Sequence, residues 1–549
     1  MRPVSAALLL LGLALPAAAD RLITHDGRIL DVEKARLLPD GSYRLEFENG
    51  VILCPAALVA SVEMEGDMSD YKPANEDEKK KLAEGFVRLR GKWLTKAAYQ
   101  AEMSREAEAR KKRTDDLAEH ARFRDGWSKD TKHFSFKTNT SPELLDYYAE
   151  LLEAYYDLMD ERLGIKPSPS LRRTQMQVNI YKNEAEFHKL AGAGPGVLGF
   201  FDFRKEELQF FHDYQEPKKS EWVALHEGTH LLTYLIEPQA WPQIWINEGV
   251  ADYFGMSKIT RDKKGRIVIQ PGELQVDRVL TVQQAIEDGE YIPLDKLFFV
   301  DRSEYRGFEY AHGWSLVYYL QNSPYEKGFK RFFKELYTLP KGVAYDSESG
   351  FPNQQGVAKI VPPQEVKRLL LDRLGVKDLG KLEEQWLAFV KAIPIDAPLA
   401  LFKRGLRTYY TAGDKEAQQR GRDDIEAAIA GGIEDARAYW LRGMYALEID
   451  GDRAKCEENL RKAIDLAPLE AEFRNGLAGI LAGGLNVSVS TGGISIQVND
   501  PDEKLTGSPE QLGEAKELFG LACELDPDND YYQDEYAHFL ELYEKTGAK

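Results

Sequence analysis

The sequence is poor in cysteine, in net positive charge and in long apolar runs. Its three cysteines among 549 residues, Cys54, Cys456 and Cys523, are odd in number and far apart, so a disulfide framework is not expected. The one pairing left open is Cys456 with Cys523. Lys and Arg number 72 against 91 Asp and Glu, a net charge of -19. That balance excludes a nucleic-acid partner from the reading, because a polyanion is held by concentrated Lys and Arg. Beyond the first twenty residues no apolar stretch approaches the roughly 20 residues that a membrane helix needs. Histidine is scarce as well, with nine in the chain, yet two of them stand four residues apart.

The opening residues MRPVSAALLLLGLALPAAAD have a basic start at Arg2, an apolar stretch through Leu15 and small residues before Asp20. This is the pattern of a secretory signal peptide over 1–19, cut after Ala19, and it implies an exported protein, periplasmic or extracellular, with no transmembrane segment after cleavage. The remaining ~530 residues exceed one hydrophobic core, so three or four domains are expected. Residues 20–68 alternate short apolar runs with the turn dipeptides Asp26-Gly27, Asp40-Gly41 and Asn49-Gly50, predicting a small all-β domain. Residues 69–127 turn to Lys, Glu, Ala and Arg, and KWLTKAAYQAEMSREAEARKKR reads as a charged, solvated helical linker. Residues 128–397 mix strands and helices. HFSFKTNT and MQVNIY read as strands, SPELLDYYAELLEAYYDLMDERLG as a helix with Ser141 as N-cap and Pro142 at its first position, and GVLGFFDFRKEELQFFHDY as a hairpin with its tip at Arg204 to Glu206. Residues 398–549 are helical except for 483–508, an insertion read as loop or hairpin, in which the Asn486 sequon reads as a plain loop residue.

The stretch WVALHEGTHLLTYL, residues 222–235, carries the chemistry. On a helical wheel Ala224, Gly228, Leu231, Leu232 and Leu235 form one apolar stripe, while His226 and His230 fall on the opposite side. A core histidine satisfied by its neighbours belongs on the stripe, and these two are off it. Trp222, Val223 and Tyr234 flank them, which is unlike an ordinary polar surface and fits the floor of a covered cleft. Imidazoles at i and i+4 lie one turn apart and can reach a single zinc ion at about 2.0–2.1 Å. Glu227, about 100 degrees round the helix, stands beside such an ion as a general base for a water whose pKa zinc lowers towards ~7. A third ligand is required, and WINEGVADYF, residues 245–254, supplies it. Pro238 and Pro242 end the first helix, and a second one from about Ile246 sets Glu248 against the histidines. Asp252, one turn later, is placed to accept the free N–H of a ligating histidine.

HEGTH followed by NEGVADYF resembles the gluzincin metallopeptidases, the thermolysin-like and aminopeptidase-like group, over about residues 130–395; more narrowly the chain resembles bacterial exported proteins of unknown function grouped as peptidase-MA-like. The resemblance implies an α+β thermolysin-like metallopeptidase domain in which His226, His230 and Glu248 bind Zn2+, Glu227 is the general base and Asp252 supports a ligand. It also implies that the hairpin Gly196 to Phe211 offers an edge strand to an extended peptide or protein substrate. Such enzymes stabilise the oxyanion with a Tyr or His from a later helix, here YAHGWSLVYYL, where Tyr310 is preferred over His312. The G-x-M-E-N loop of the M1-type aminopeptidases is absent, so an endopeptidase is expected rather than an amino-terminal exopeptidase. In the last 150 or so residues, Trp440, Gly451, Asp452, Leu460, Ala463 and Pro468, then Ala515, Phe519, Ala522 and Pro527, fall at tetratricopeptide signature positions. The match is partial, with Gly443-Met444 for the usual Leu-Gly and Cys456 for a small Ala. The fold class expected is thus multidomain: a small all-β N-terminal domain, the peptidase domain and all-α C-terminal tetratricopeptide-like repeats able to hold a protein partner. Two alternatives stand beside the hydrolase: a non-catalytic envelope scaffold with a structural metal, and a latent peptidase whose residues 20–127 cover the cleft.

Overall fold

The computed structural model describes residues 20–546 apart from 25–26, 39, 64–72, 74, 90–91, 169–170, 172–174, 215, 239, 340–358, 412, 484–485, 491–492, 498–503 and 528. The expected signal peptide lies outside the described residues. The chain is multidomain and forms two compact units, one made of residues 1–116 with 439–549 and the other of residues 117–438. In coarse terms it has a small N-terminal β region, a mixed α/β middle and a helical C-terminal region.

The middle unit is built on a five-stranded sheet. Its order is Gly199–Asp202, Glu207–Phe211, Met176–Tyr181, Phe134–Thr138, Trp127–Asp130, with the three inner strands parallel and the two outer ones antiparallel to them. Two of the inner strands, MQVNIY and ELQFF, are nearly all apolar or buried, as strands covered on both faces must be. The helix Pro142–Leu163 starts as expected, with the Ser141 side chain accepting the Leu144 N–H and Pro142 at the first position, and it ends on Gly164 at a φ of 73°. Its buried face, Leu144, Leu145, Tyr148, Leu152, Tyr155 and Met159, packs into one core with Phe134, Phe136, Val178, Ile180 and Phe210 of the sheet.

Three helices carry the candidate site residues. The histidine helix is Pro217–Ile236, the glutamate helix Ile244–Gly255 and the tyrosine helix Gly307–Gln321. The tyrosine helix is apolar nearly all round, with Ala311, Trp314, Leu316, Val317 and Leu320 buried, and this makes it the centre of the helical half of the unit. Helices Pro398–Thr411 and Lys415–Ala430 belong to the same unit, where Arg407 donates to the Thr281 hydroxyl at 2.8 Å.

The other unit joins the two ends of the chain. Leu22, Leu30, Val32, Leu45, Phe47 and Ile52 of the N-terminal strands share a core with Leu469, Ala471, Leu521, Ala522 and Leu525 of the C-terminal helices. Cys54, Cys456 and Cys523 are all buried, and Cys456 and Cys523 form no disulfide. The insertion contains an antiparallel hairpin, Asn486–Ser490 with Gly493–Gln497. KWLT, read from sequence as the start of the linker helix, is instead the strand Lys92–Thr95 paired with Phe86–Leu89, and the helix begins at Lys96. Trp93 explains the difference: Arg88 and Lys81 lie over its ring at 5.7 and 5.4 Å, a cross-strand and local packing that helical spacing does not reveal.

Candidate metal centre and its cleft

Pro217 occupies the first position of the histidine helix, where its missing N–H leaves no helical bond unmade. The stripe of Ala224, Leu231, Leu232 and Leu235 is buried in the core, and Thr229 ties it down by donating to the Leu225 carbonyl at 2.9 Å and meeting the Tyr155 hydroxyl at 2.6 Å. His226 and His230 look the other way. The helix stops at Ile236, before Pro238, and after the short strand Ala240–Trp241 the next helix begins at Ile244, two residues earlier than the sequence suggested. The Gln243 backbone carbonyl opens the helix there by accepting the Asn247 N–H at 3.2 Å, while its side chain donates to the Val361 carbonyl.

The glutamate helix lies close against the histidine helix. A Cβ on Gly255 would stand 3.1 Å from the Cβ of His226, so glycine there lets the two helices approach beside the ligand. Glu248 is thereby brought to the histidines: its Oε2 is 3.5 Å from His226 Nε2 and 3.5 Å from His230 Nε2. The three ligand atoms all lie within 4.8 Å of one another. Tetrahedral zinc with bonds of about 2.0–2.1 Å has ligand–ligand edges of about 3.3 Å, so the two edges to Glu248 fit such an ion. The group is buried and can hold a metal ion; among the described residues it has three members.

The ring nitrogens of His226 have separate tasks. Nε2 faces Glu248 and Nδ1 lies 3.1 Å from Asp252 Oδ1. A proton on Nδ1, held towards Asp252, leaves the Nε2 lone pair for a cation. Asp252 is fully buried, and its other oxygen is 2.6 Å from Arg278 Nη2. Burial by itself would lower the His226 imidazolium, but Asp252 and Glu248 outweigh it and carry it well above the ordinary histidine value. Burial pushes Glu248 up, yet His230 and His226 hold it well below the carboxylate range. A divalent cation neutralises these acids in place of the protons, which is why ligation and proton release are coupled. Glu227 behaves differently: burial raises its pKa against the opposing pull of His226 and His230, and Glu248 adds to the rise. Its Oε2 accepts the Phe201 backbone N–H at 3.1 Å, so the carboxylate is anchored to the edge strand of the sheet.

The cleft around these groups has a volume of about 260 Å3 and is walled by Phe201, Phe203, Tyr234, Trp241, Tyr310 and Tyr337 among others. Tyr310 lies on this wall, and burial together with the Glu248 charge pushes its phenol pKa up. His312 does not reach the cleft lining; it is buried, with Nδ1 bonded to the Phe308 carbonyl at 2.8 Å. Three participants carry no sequence signal. Arg278 reaches Asp252 and covers the Tyr310 ring at 5.4 Å, Arg302 comes within 3.5 Å of Glu248 Oε1, and the Phe201 amide holds Glu227. The two arginines sit in the stretch 260–305, which no motif marks, and a backbone amide is silent in any sequence.

A family model described as a protein of unknown function (DUF1570) matches residues 223–340. That stretch holds His226, His230 and Glu248 together with Arg278, Arg302 and Tyr310, so the chain is similar to this family over that part of its cleft. No curated protein is found to match the chain.

Proposed function

We propose that the protein is an exported zinc-dependent metallopeptidase of the gluzincin kind that hydrolyses internal peptide bonds. The observation that carries the reading is the convergence of His226, His230 and Glu248 on one point with a half-buried Glu227, its pKa raised, beside them on the histidine helix. Structural zinc sites are closed by four protein ligands, whereas catalytic sites use three and keep one position for solvent. Three members therefore favour a reactive site over the envelope scaffold. Zinc, when bound, supplies Lewis acidity to the attacking water and the substrate carbonyl.

The chain's own groups do the rest. Glu227, steadied by the Phe201 amide, takes one proton from the attacking water as its oxygen bonds to the carbonyl carbon. The same carboxyl then returns that proton to the amine nitrogen as the C–N bond breaks. Tyr310 donates its hydroxyl to the oxyanion as negative charge gathers there. Asp252 and Arg278 keep the His226 ring in its ligating orientation. Among the described residues Gly199–Asp202 is an edge strand, and apart from the Phe201 amide that Glu227 takes, its outer side can pair with an extended peptide, giving affinity through main-chain hydrogen bonds. The α/β unit is read as thermolysin-like, and the C-terminal helices as tetratricopeptide-like repeats that hold a protein partner. Glu227→Gln tests the assignment: metal content by elemental analysis stays at one zinc per chain, while peptide cleavage falls about 10^2- to 10^4-fold. Full activity in that variant refutes the base, and a wild-type chain that takes up no zinc refutes the site.

A further inference from the structure

The metal cleft does not end at Arg302. On its far side lies a second depression of about 130 Å3, and the two share Trp241, Pro242, Asn247 and Arg302. Its own walls are the apolar Ile244, Phe299, Val300 and Pro363 together with Gln243, whose side chain donates to the Val361 carbonyl, and Asp301, whose carboxylate accepts from the Ser303 amide and hydroxyl. Phe299 is 41% exposed, a large apolar side chain left open to water on a chain of net charge -19. A water occupies ~30 Å3 of liquid volume, so this depression has room for about four, the size of one leucine side chain.

Between the two depressions stand polar groups. The Arg302 side chain is 40% exposed, and Asn247 lines both spaces. An extended polypeptide alternates side chains with hydrogen-bonding backbone groups, and the surface here alternates in kind: an aromatic cleft, the polar Arg302 and Asn247, then a depression whose apolar residues are Ile244, Phe299, Val300 and Pro363. From this continuity we infer that the second depression is a substrate subsite, which takes an apolar side chain of a polypeptide lying across the cleft while Arg302 and Asn247 bond its main chain. The occupant is the substrate itself, on one side of the bond to be cut. The inference rests on the peptidase reading and deepens it, since a subsite beyond the reactive cleft is of use only to an enzyme that accepts long chains.

The test uses the full zinc-loaded protein and a mixed peptide library. Wild-type cleavage sites are expected to show an enriched aliphatic residue at one fixed position away from the cut bond. For a peptide chosen from that profile and its truncated form lacking that residue, kcat/KM is measured with wild type, Phe299→Ser and Phe299→Leu. The ratio of long to short is expected to fall about tenfold in Phe299→Ser, the scale of a lost apolar contact, and to recover in Phe299→Leu. A ratio unchanged in Phe299→Ser, or a loss equal for both peptides, overturns the subsite in an enzyme that still cleaves. A wild-type chain that binds zinc and cuts no peptide overturns the peptidase reading and the subsite with it.

Discussion

At the scale of single residues the cleft is held together by charges that satisfy one another. Asp252 is fully buried between His226 and Arg278, and Arg278 also donates through its Nε to the Gln275 side-chain Oε1 at 2.6 Å. Replacing the guanidinium by an apolar chain of similar length leaves Asp252 with only the His226 ring as partner for its charge and loosens the ring it steadies. Arg278→Met is therefore expected to raise the dissociation constant for zinc about 10- to 100-fold, read by competition with a coloured chelator. Glu221, earlier on the histidine helix, gives a prediction in pH. Burial raises its carboxyl pKa above the usual 4.5, against the pull of the Tyr147 hydroxyl and of Lys218. A carboxyl whose folded pKa is raised contributes its full stability below the unfolded value and loses it as pH rises through the folded one. Thermal melts of the wild type against Glu221→Gln are thus expected to diverge from pH 4.5 upwards, with the variant the more stable near neutrality. Equal pH slopes would refute this.

At the scale of elements, glycines decide how closely the three helices stack. A Cβ on Gly249, next to Glu248, would lie 2.8 Å from the Gly313 carbonyl oxygen and 2.9 Å from Val317 Cγ2. The glutamate helix can thus sit this close to the tyrosine helix only without a side chain at 249. Gly249→Ala is expected to cost about 1–3 kcal/mol through overpacking and to weaken zinc binding, because the strain falls one residue from a ligand. Denaturant melts and zinc titration measure the two effects, and a melt equal to wild type refutes the packing account. The edge strand acts at the same scale. The Phe201 amide couples the sheet to Glu227, so the element proposed to receive the substrate also holds the base.

At the scale of the whole molecule, the N-terminal strands and the C-terminal helices fold as one unit. The Asn49 backbone N–H donates to Glu524 at 3.0 Å although the two are 475 residues apart in sequence. Arg28 donates to the Leu469 carbonyl at 3.0 Å. Gly520 leaves room for the Asn49 turn, for a Cβ there would meet Asn49 Cγ at 2.2 Å. A cavity made in the C-terminal helix is expected to loosen the N-terminal strands. Leu521→Ala should cost about 2–5 kcal/mol and speed hydrogen exchange in residues 43–54 along with that of the helix. Exchange that changes only in the helix would show two independent folding units.

The sequence by itself determined most of the elements around the site and the pair of helices that bear the candidate ligands. Helical spacing alone separates His226 and His230 from the apolar stripe, Ser141 and Pro142 mark a helix start, and two prolines end the histidine helix before Glu248 is delivered. These features are local, because capping, periodicity and ring constraint act within a turn or two. Tertiary structure alone decided that Arg278 meets Asp252, that the Phe201 amide meets Glu227, that Tyr310 and not His312 faces the cleft, and that the two ends of the chain share a core. Each of those contacts joins residues far apart in sequence, and no periodicity fixes which distant surfaces meet; that choice falls to the packing of buried faces and the pairing of buried charge.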